Sequence, residues 1–141
     1  MTSIEELLGN SAKTLRINPG AIFVGPMEGV DHSKYYIVAG ISKDRVCLCS
    51  VAINSQINQF ILKRPKLLAL QIEITPEDYS FLRHKSYINC GTPYKEYTVS
   101  LESGDFTYKA QLDKKHLEQV VENVKRSQLL TEEDIELYFG E

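Results

Sequence analysis

The sequence lacks the features that define several large classes of protein. It has only three cysteines in 141 residues, and it contains no apolar run of about 18 residues, the length that a membrane-spanning helix needs. An odd cysteine count without a framework of spacings indicates a reducing compartment. The N-terminus has no basic segment followed by an apolar one, so a secretory signal is not predicted. We therefore expect a cytoplasmic protein with no membrane partner.

The short motifs of common enzymes and metal sites are also missing. There is no GxGxxG, P-loop, HExxH or GxSxG pattern. Cys47 and Cys49 are two residues apart in a predicted strand, so they point to one face and resemble core residues. No cluster of histidines or cysteines near them completes a four-ligand metal site. The sequence thus predicts neither a metal nor a cofactor, and the net charge of −3 provides no overall positive field for nucleic acid.

Length and composition predict one globular domain with a sizeable core. The chain is 43% hydrophobic and 25% charged, which is ordinary for a globular protein. Within a single domain spanning 1–141, we predict an N-terminal helix at 1–10, a β-barrel core at 19–110 and C-terminal helices at 113–139. Five acidic residues lie in the last eleven positions, and the rest of the chain carries +2. Such a charged end is typical of a solvated helix face.

The central stretch is a predicted hairpin of two apolar strands. One strand contains Tyr35 to Val38 and the next Val46 to Val51, with a turn at Ser42 to Asp44. β-Branched and aromatic residues fit strands, and Ser and Asp favour turns. The nearly continuous apolar runs predict central strands that are covered on both sides or curled into a barrel. If the strands pair, the polar residues before the first and after the second meet at one rim.

The remaining elements are predicted from local signals. Further strands are expected at Ala21–Val24, Leu67–Ile74 and His84–Cys90, and a hairpin at 95–101 and 106–110. A short helix should begin at Thr75, longer ones should cover Asp113–Ser127 and begin at Thr131, and His116 should be a surface residue. About six short strands with helices at the edges and the end predict a mainly β fold, a small SH3-like curled sheet or barrel plus C-terminal helices.

Polar residues at the predicted rim are the first candidates for a site. His32 suits a general base or acid, because imidazole exchanges protons near neutral pH. Lys34 suits a cation that holds a phosphate, beside the polar Ser33. Ser50, Asn54 and Ser55 could orient a phosphate or a ribose hydroxyl, or they could simply end the strand through local hydrogen bonds.

Two further groups have a functional and a structural interpretation. Lys63, Arg64 and Lys66 form a basic cluster that could bind a backbone phosphate, although such clusters usually only solvate a loop. Cys90 could be a nucleophile only with a base partner, and a buried structural thiol is the simpler interpretation.

Three segments resemble the PemK/MazF family of bacterial growth-inhibitor toxins. They are PGAIFVG from Pro19, KYYIVAG from Lys34 and SVAINS from Ser50, within about residues 19–60. The family opens with a Pro-Gly-Asp-Ile strand, continues with an Arg-Pro-Val-Val-Val strand and follows with a strand that carries Ser or Thr. Here Ala21 stands at the acidic position, and a lysine replaces the arginine.

The resemblance implies an SH3-like barrel that forms a homodimer, cuts single-stranded RNA without a metal and is neutralised by an antitoxin protein. Its catalytic residues would be His32, Lys34 and either Ser55 or Ser50, and Ser33, Asn54 and the basic cluster would bind RNA. Because lysine cannot reproduce the bidentate grip of arginine on phosphate, a second class stays open. In that class the chain is a non-catalytic SH3-like module that binds a protein or nucleic acid.

Overall fold

Six antiparallel strands form one curled, SH3-like half-barrel sheet. The computed structural model describes residues 16–26 and 32–140, so the predicted helix at 1–10 lies outside the described residues. The strands are β1 (Ala21–Gly25), β2 (Lys34–Ile41), β3 (Cys47–Asn54), β4 (Gln71–Ile74), β5 (Ser86–Tyr97) and β6 (Thr107–Gln111). Their order in the sheet is β4-β5-β3-β2-β1-β6. The predicted mainly β fold with C-terminal helices is confirmed.

Five helices complete the described part of the chain. They are α1 (Gln59–Leu62), α2 (Pro65–Leu68), α3 (Thr98–Glu102), α4 (Lys114–Arg126) and α5 (Glu132–Phe139). Helix α4 packs on β5 and β2, and α5 packs on β2 and β3. Both C-terminal helices therefore cover the same face of the sheet.

The predicted central hairpin is β2 paired with β3. Tyr35 lies opposite Ile53, Tyr36 opposite Ala52 and Ile37 opposite Val51. All six inner residues of β3 are buried, because both faces of the sheet are covered, as the continuous apolar run predicted.

Alternation along the strands divides the apolar residues between two cores, one on each face of the sheet. The larger core contains Ile37, Cys49 and Val51 and is closed by Val120 and Val124 of α4. The smaller core is formed by Ile17, Ala21, Phe23, Val38, Leu48 and Leu101. Adjacent residues of β2 consequently belong to different environments.

The two C-terminal helices begin at the predicted capping residues. The Asp113 carboxylate accepts a hydrogen bond from the His116 backbone N–H at 2.8 Å, which caps α4. This bond is the main reason that the pKa of Asp113 is lowered. Thr131 and Asp134 form a capping box at the start of α5. Both caps satisfy backbone N–H groups that have no partner within the helix.

The predictions for 67–82 were partly wrong. The strand expected from Leu67 begins only at Gln71, because Pro65–Leu68 forms α2 with the proline in its first turn. No helix follows Thr75. The Asp78 carboxylate accepts hydrogen bonds from the backbone N–H and hydroxyl of Thr75, both at 3.1 Å, and these bonds close a turn that does not propagate.

The hairpin predicted at 95–101 and 106–110 was also wrong. The strand expected at His84–Cys90 extends as β5 to Tyr97, and α3 follows immediately. Strand β6 pairs with β1 instead of its neighbour in sequence, with Tyr108 opposite Phe23. The two rings meet edge to face with centroids 5.7 Å apart. Burial of Leu101 in the smaller core favours the helix over a continued strand.

His116, predicted as a surface residue, is partly buried in a hydrogen-bond network. Its side chain is only 15% exposed, and its Nδ1 lies 2.7 Å from the Tyr79 hydroxyl. That hydroxyl also accepts the Asp113 backbone N–H at 3.0 Å. Burial raises the pKa of Tyr79 to about 12, so the hydroxyl keeps its proton and can donate it to the imidazole. The network fastens the turn after β4 to the start of α4.

Replacing Tyr79 by Phe should lower the free energy of unfolding by about 1–2 kcal/mol, because the Asp113 N–H and the imidazole lose a shared partner. Chemical denaturation measures this change. Tyr97→Phe is the matched control, since Tyr97 is 64% exposed, and it should change stability by less than about 0.5 kcal/mol. Equal effects of the two substitutions would contradict a role for the network.

Replacing Gly40 by Ala should destabilise the contact between β2 and α5. The added Cβ would lie 2.6 Å from the Phe139 ring and 2.6 Å from the Tyr138 carbonyl oxygen, and such overpacking costs about 1–3 kcal/mol. Gly104→Ala is the control, because a Cβ there meets nothing within 4 Å. Thermal melts should show a lower Tm for the first variant alone, and an unchanged Tm for Gly40→Ala would refute this packing.

Candidate functional site

The predicted rim is present at the open end of the central hairpin. Lys34 begins β2 and Asn54 ends β3, and the Lys34 ammonium donates a hydrogen bond to the Asn54 side-chain carbonyl at 2.5 Å. Both residues are half-buried, and the following Ser55 is exposed. The antiparallel register alone places these residues side by side.

His32 and Ser33 open into a cavity beside this rim. The cavity has a volume of about 410 Å³ and is lined by His32, Ser33, Tyr35, Phe81, Leu82, Arg83, His84 and Ser86. The Tyr35 and Phe81 rings pack against each other with centroids 4.8 Å apart. We call this the His32 cavity. It combines an aromatic wall with cationic and hydroxyl-bearing side chains.

The polar groups of the His32 cavity suit an anionic ligand. Its lining includes two imidazoles and the Arg83 guanidinium, which presents several N–H donors to a phosphate. Among the residues that the structure describes, its lining contains neither aspartate nor glutamate. Imidazoles can also give and take protons near neutral pH. The cavity could therefore bind a phosphodiester and support acid–base chemistry on it.

Ser50 does not lie at the rim. It is 1% exposed, sits in the middle of β3 opposite Val38 and Tyr94, and is four residues from Asn54, a separation of about 13 Å along a strand. Its hydroxyl is buried without a hydrogen-bond partner. Of the two serines considered as orienting hydroxyls, only Ser55 is near Lys34.

The basic cluster lies on α2 and on the two residues between α1 and α2. Lys63, Arg64 and Lys66 are all exposed. The Arg64 guanidinium lies 3.5 Å from the centroid of the Phe60 ring and donates to the Phe60 carbonyl at 2.9 Å. Lys66 lines a different cavity, of about 430 Å³, together with Arg126. These residues form a separate basic surface outside the lining of the His32 cavity.

Sequence reasoning missed Arg83 and Phe81. Both lie in the turns between β4 and β5, where a short helix beginning at Thr75 was expected. The sequence feature that could have indicated them is the basic run Arg83-His84-Lys85, immediately before a strand. This run lies near the predicted rim only because β5 pairs with β3, which places Tyr87 opposite Asn54. That pairing brings the start of β5 to the predicted rim.

The cysteines do not contribute to the site. Cys49 and Cys90 are fully buried, and burial raises the pKa of each thiol to about 12, which leaves both unreactive near neutral pH. The structural interpretation of Cys90 is confirmed, and Cys47 packs against the same core as Cys49. Within residues 16–26 and 32–140, no three His, Cys, Asp or Glu side chains are grouped so that they could hold a metal ion.

Comparison with models of known protein families gave no match, and comparison with curated protein sequences gave none either. The similarity to PemK/MazF toxins therefore stays a prediction from the segments between residues 19 and 60. None of the helices in the described part of the chain is both long and apolar enough to cross a membrane.

Proposed function

We propose that this chain is a metal-independent endoribonuclease that acts on single-stranded RNA at the His32 cavity. The observation that supports it best is the presence of His32, Arg83 and His84 around one cavity. Two imidazoles and a cation can supply the acid–base and charge-stabilising groups for cleavage of an RNA phosphodiester.

The reaction would use the RNA's own 2′-hydroxyl as nucleophile. One imidazole takes the proton from this hydroxyl as its oxygen attacks the adjacent phosphorus. The bond from phosphorus to the 5′ oxygen breaks, and the second imidazole gives that oxygen a proton. Arg83 stabilises the charge that develops on the phosphoryl oxygens. The products are a 2′,3′-cyclic phosphate and a new 5′-hydroxyl.

The surroundings supply contacts for a single strand. Tyr35 and Phe81 offer ring faces and edges for base stacking, which accepts any base. The Lys34 ammonium has three N–H donors, of which one is used by Asn54, so the others can contact a flanking phosphate next to Ser55. Lys63, Arg64 and Lys66 form a second, separate positive surface that a longer RNA could contact.

The biological setting belongs to the same proposal. By its resemblance to the PemK/MazF toxins, the chain would act in the cytoplasm as a homodimer whose activity an antitoxin protein blocks. Arrest of bacterial growth on expression of the chain alone, relieved by a small partner protein, would fit this setting.

A non-catalytic binding module is the second candidate, and one observation favours it. Lys34 stands where the family has an arginine, and lysine cannot reproduce the bidentate grip of arginine on a phosphate; of the two alternative serines, Ser50 is buried in the centre of the sheet. The same cavity could then bind RNA through its cations and rings without cutting it.

Purified protein in EDTA should cut a long single-stranded RNA and leave 2′,3′-cyclic phosphate ends. His32→Gln and His84→Gln should each lower the cleavage rate by about 100-fold or more, since each removes an acid–base group. His116→Gln is the matched control, because the third histidine belongs to the Tyr79 network, and it should cut at the rate of the parent protein. Melting curves establish that all variants are folded.

Each result separates the two candidates. Binding of RNA without cleavage by the folded parent protein would establish the binding module and exclude the enzyme. Neither binding nor cleavage would exclude both. Cleavage that persists in both His variants would place the active site away from the His32 cavity.

A further inference from the structure

Three aromatic rings form a partial box on the face of the sheet opposite the His32 cavity. Tyr36 follows Tyr35 in β2 and so points to the other face. The Tyr94 ring lies 6.4 Å from the Tyr36 ring at an interplanar angle of 81°, and the Phe106 ring lies 6.0 Å away at 65°. The Tyr94 and Phe106 rings are thus both steeply inclined to the plane of the Tyr36 ring. We call this group the aromatic box.

The parts of the box are held in place from different elements. The Tyr36 hydroxyl donates to the Pro26 carbonyl at 3.1 Å. The Phe106 ring covers Gly25, where an added Cβ would lie only 2.1 Å from it. Tyr94 is paired with Ser50. Tyr36 is 6% exposed, whereas Tyr94 and Phe106 are half-exposed, so the rings of these two residues reach the surface.

A carboxylate lies beside these rings. Glu96 is two residues beyond Tyr94 in β5 and therefore on the same face. Burial, and after it the charge of Glu96, raises the pKa of both Tyr36 and Tyr94. Burial raises the pKa of Glu96 itself. Among the described residues, no Lys, Arg or His forms an ion pair with it. A partly buried carboxylate without a counter-charge is costly.

Beneath Tyr94, the Ser50 hydroxyl is a second polar group without a partner. It is buried and makes no hydrogen bond in the described structure, although buried hydroxyls are normally paired. Its cross-strand neighbours Val38 and Tyr94 share its face of the sheet. The polar groups of this face are thus less satisfied than those at the rim, where Lys34 and Asn54 bond to each other.

We propose that the aromatic box with Glu96 binds an organic cation, the side chain of an arginine or lysine presented by a partner protein. Ring faces attract a cation through their quadrupole, and the carboxylate supplies the opposite charge. The attraction of the rings for a cation needs no particular hydrogen-bond geometry, whereas the carboxylate accepts directed hydrogen bonds. A guanidinium suits both, because it is planar, charged and carries a fork of N–H donors.

The neighbourhood of the box favours a protein as the source of the cation. Just beyond the end of β5 that carries Glu96, Val46 and Val99 are 51% and 68% exposed. The Thr98 backbone N–H bonds to the Val46 carbonyl at 2.8 Å, so these apolar side chains belong to one region. Exposed apolar groups beside a charged site are typical of protein-binding surfaces.

The test uses the full chain and two matched peptides, one with a single arginine between glycines and one with neutral citrulline in its place. In ¹H–¹⁵N NMR titrations, the arginine peptide should shift the amide signals of Tyr36, Tyr94 and Glu96 until the shifts reach a plateau. The citrulline peptide should leave these signals unchanged. Glu96→Gln should lower the affinity for the arginine peptide at least about fivefold, because the bound cation loses the opposite charge. Tyr94→Leu should lower this affinity by a similar factor, because the cation loses contact with a ring face.

Glu118→Gln is the control for charge, because Glu118 is exposed on α4, and it should leave the affinity unchanged. Equal binding of both peptides, or undiminished binding by the folded Glu96→Gln and Tyr94→Leu variants, would overturn the proposal. A guanidinium ion that binds as tightly as the arginine peptide would overturn the part that assigns the cation to a protein. These readouts need no RNA, so they are independent of the proposed ribonuclease activity.

Discussion

The pairing of β2 with β3 is the constraint on which the rest of the structure depends. Once Tyr35 lies opposite Ile53, alternation assigns every residue of both strands to one face or the other. A slip of one residue would move Ile37 and Val51 out of the larger core and carry Lys34 away from Asn54. The apolar residues enforce the register because both faces are buried, so the polar ends of the hairpin are positioned by the core.

The same alternation separates two chemistries that are adjacent in sequence. Tyr35 turns toward the His32 cavity, where the lining charges are positive, and Tyr36 turns toward Glu96, where the charge is negative. The sheet between them is filled by apolar residues, so each site can attract an opposite class of ligand. An RNA on one face and a basic protein segment on the other are therefore compatible within one small domain.

Local signals in the sequence predicted the elements whose structure is determined locally. The hairpin, α4 with its Asp113 cap and α5 with Thr131 follow from periodicity and capping, and so does the contact of Lys34 with Asn54. The errors concern long-range pairing. Nothing near Thr107 indicates that β6 will pair with β1 instead of β5. Arg83 lies near the rim only because β5 pairs with β3. For the same reason Ser50 looked like a rim residue, although the register places it in the middle of the sheet.

Lys34 and Glu96 differ in whether the folded chain already provides them with a partner. Lys34 already has a hydrogen-bonded partner in Asn54, so its position is set before any ligand arrives, and a flanking phosphate would bind there with little ordering cost. Glu96 has burial but no counter-charge among the described residues. A cation that binds there removes a cost that the folded chain already carries. Binding on that face should accordingly depend strongly on the ligand's charge.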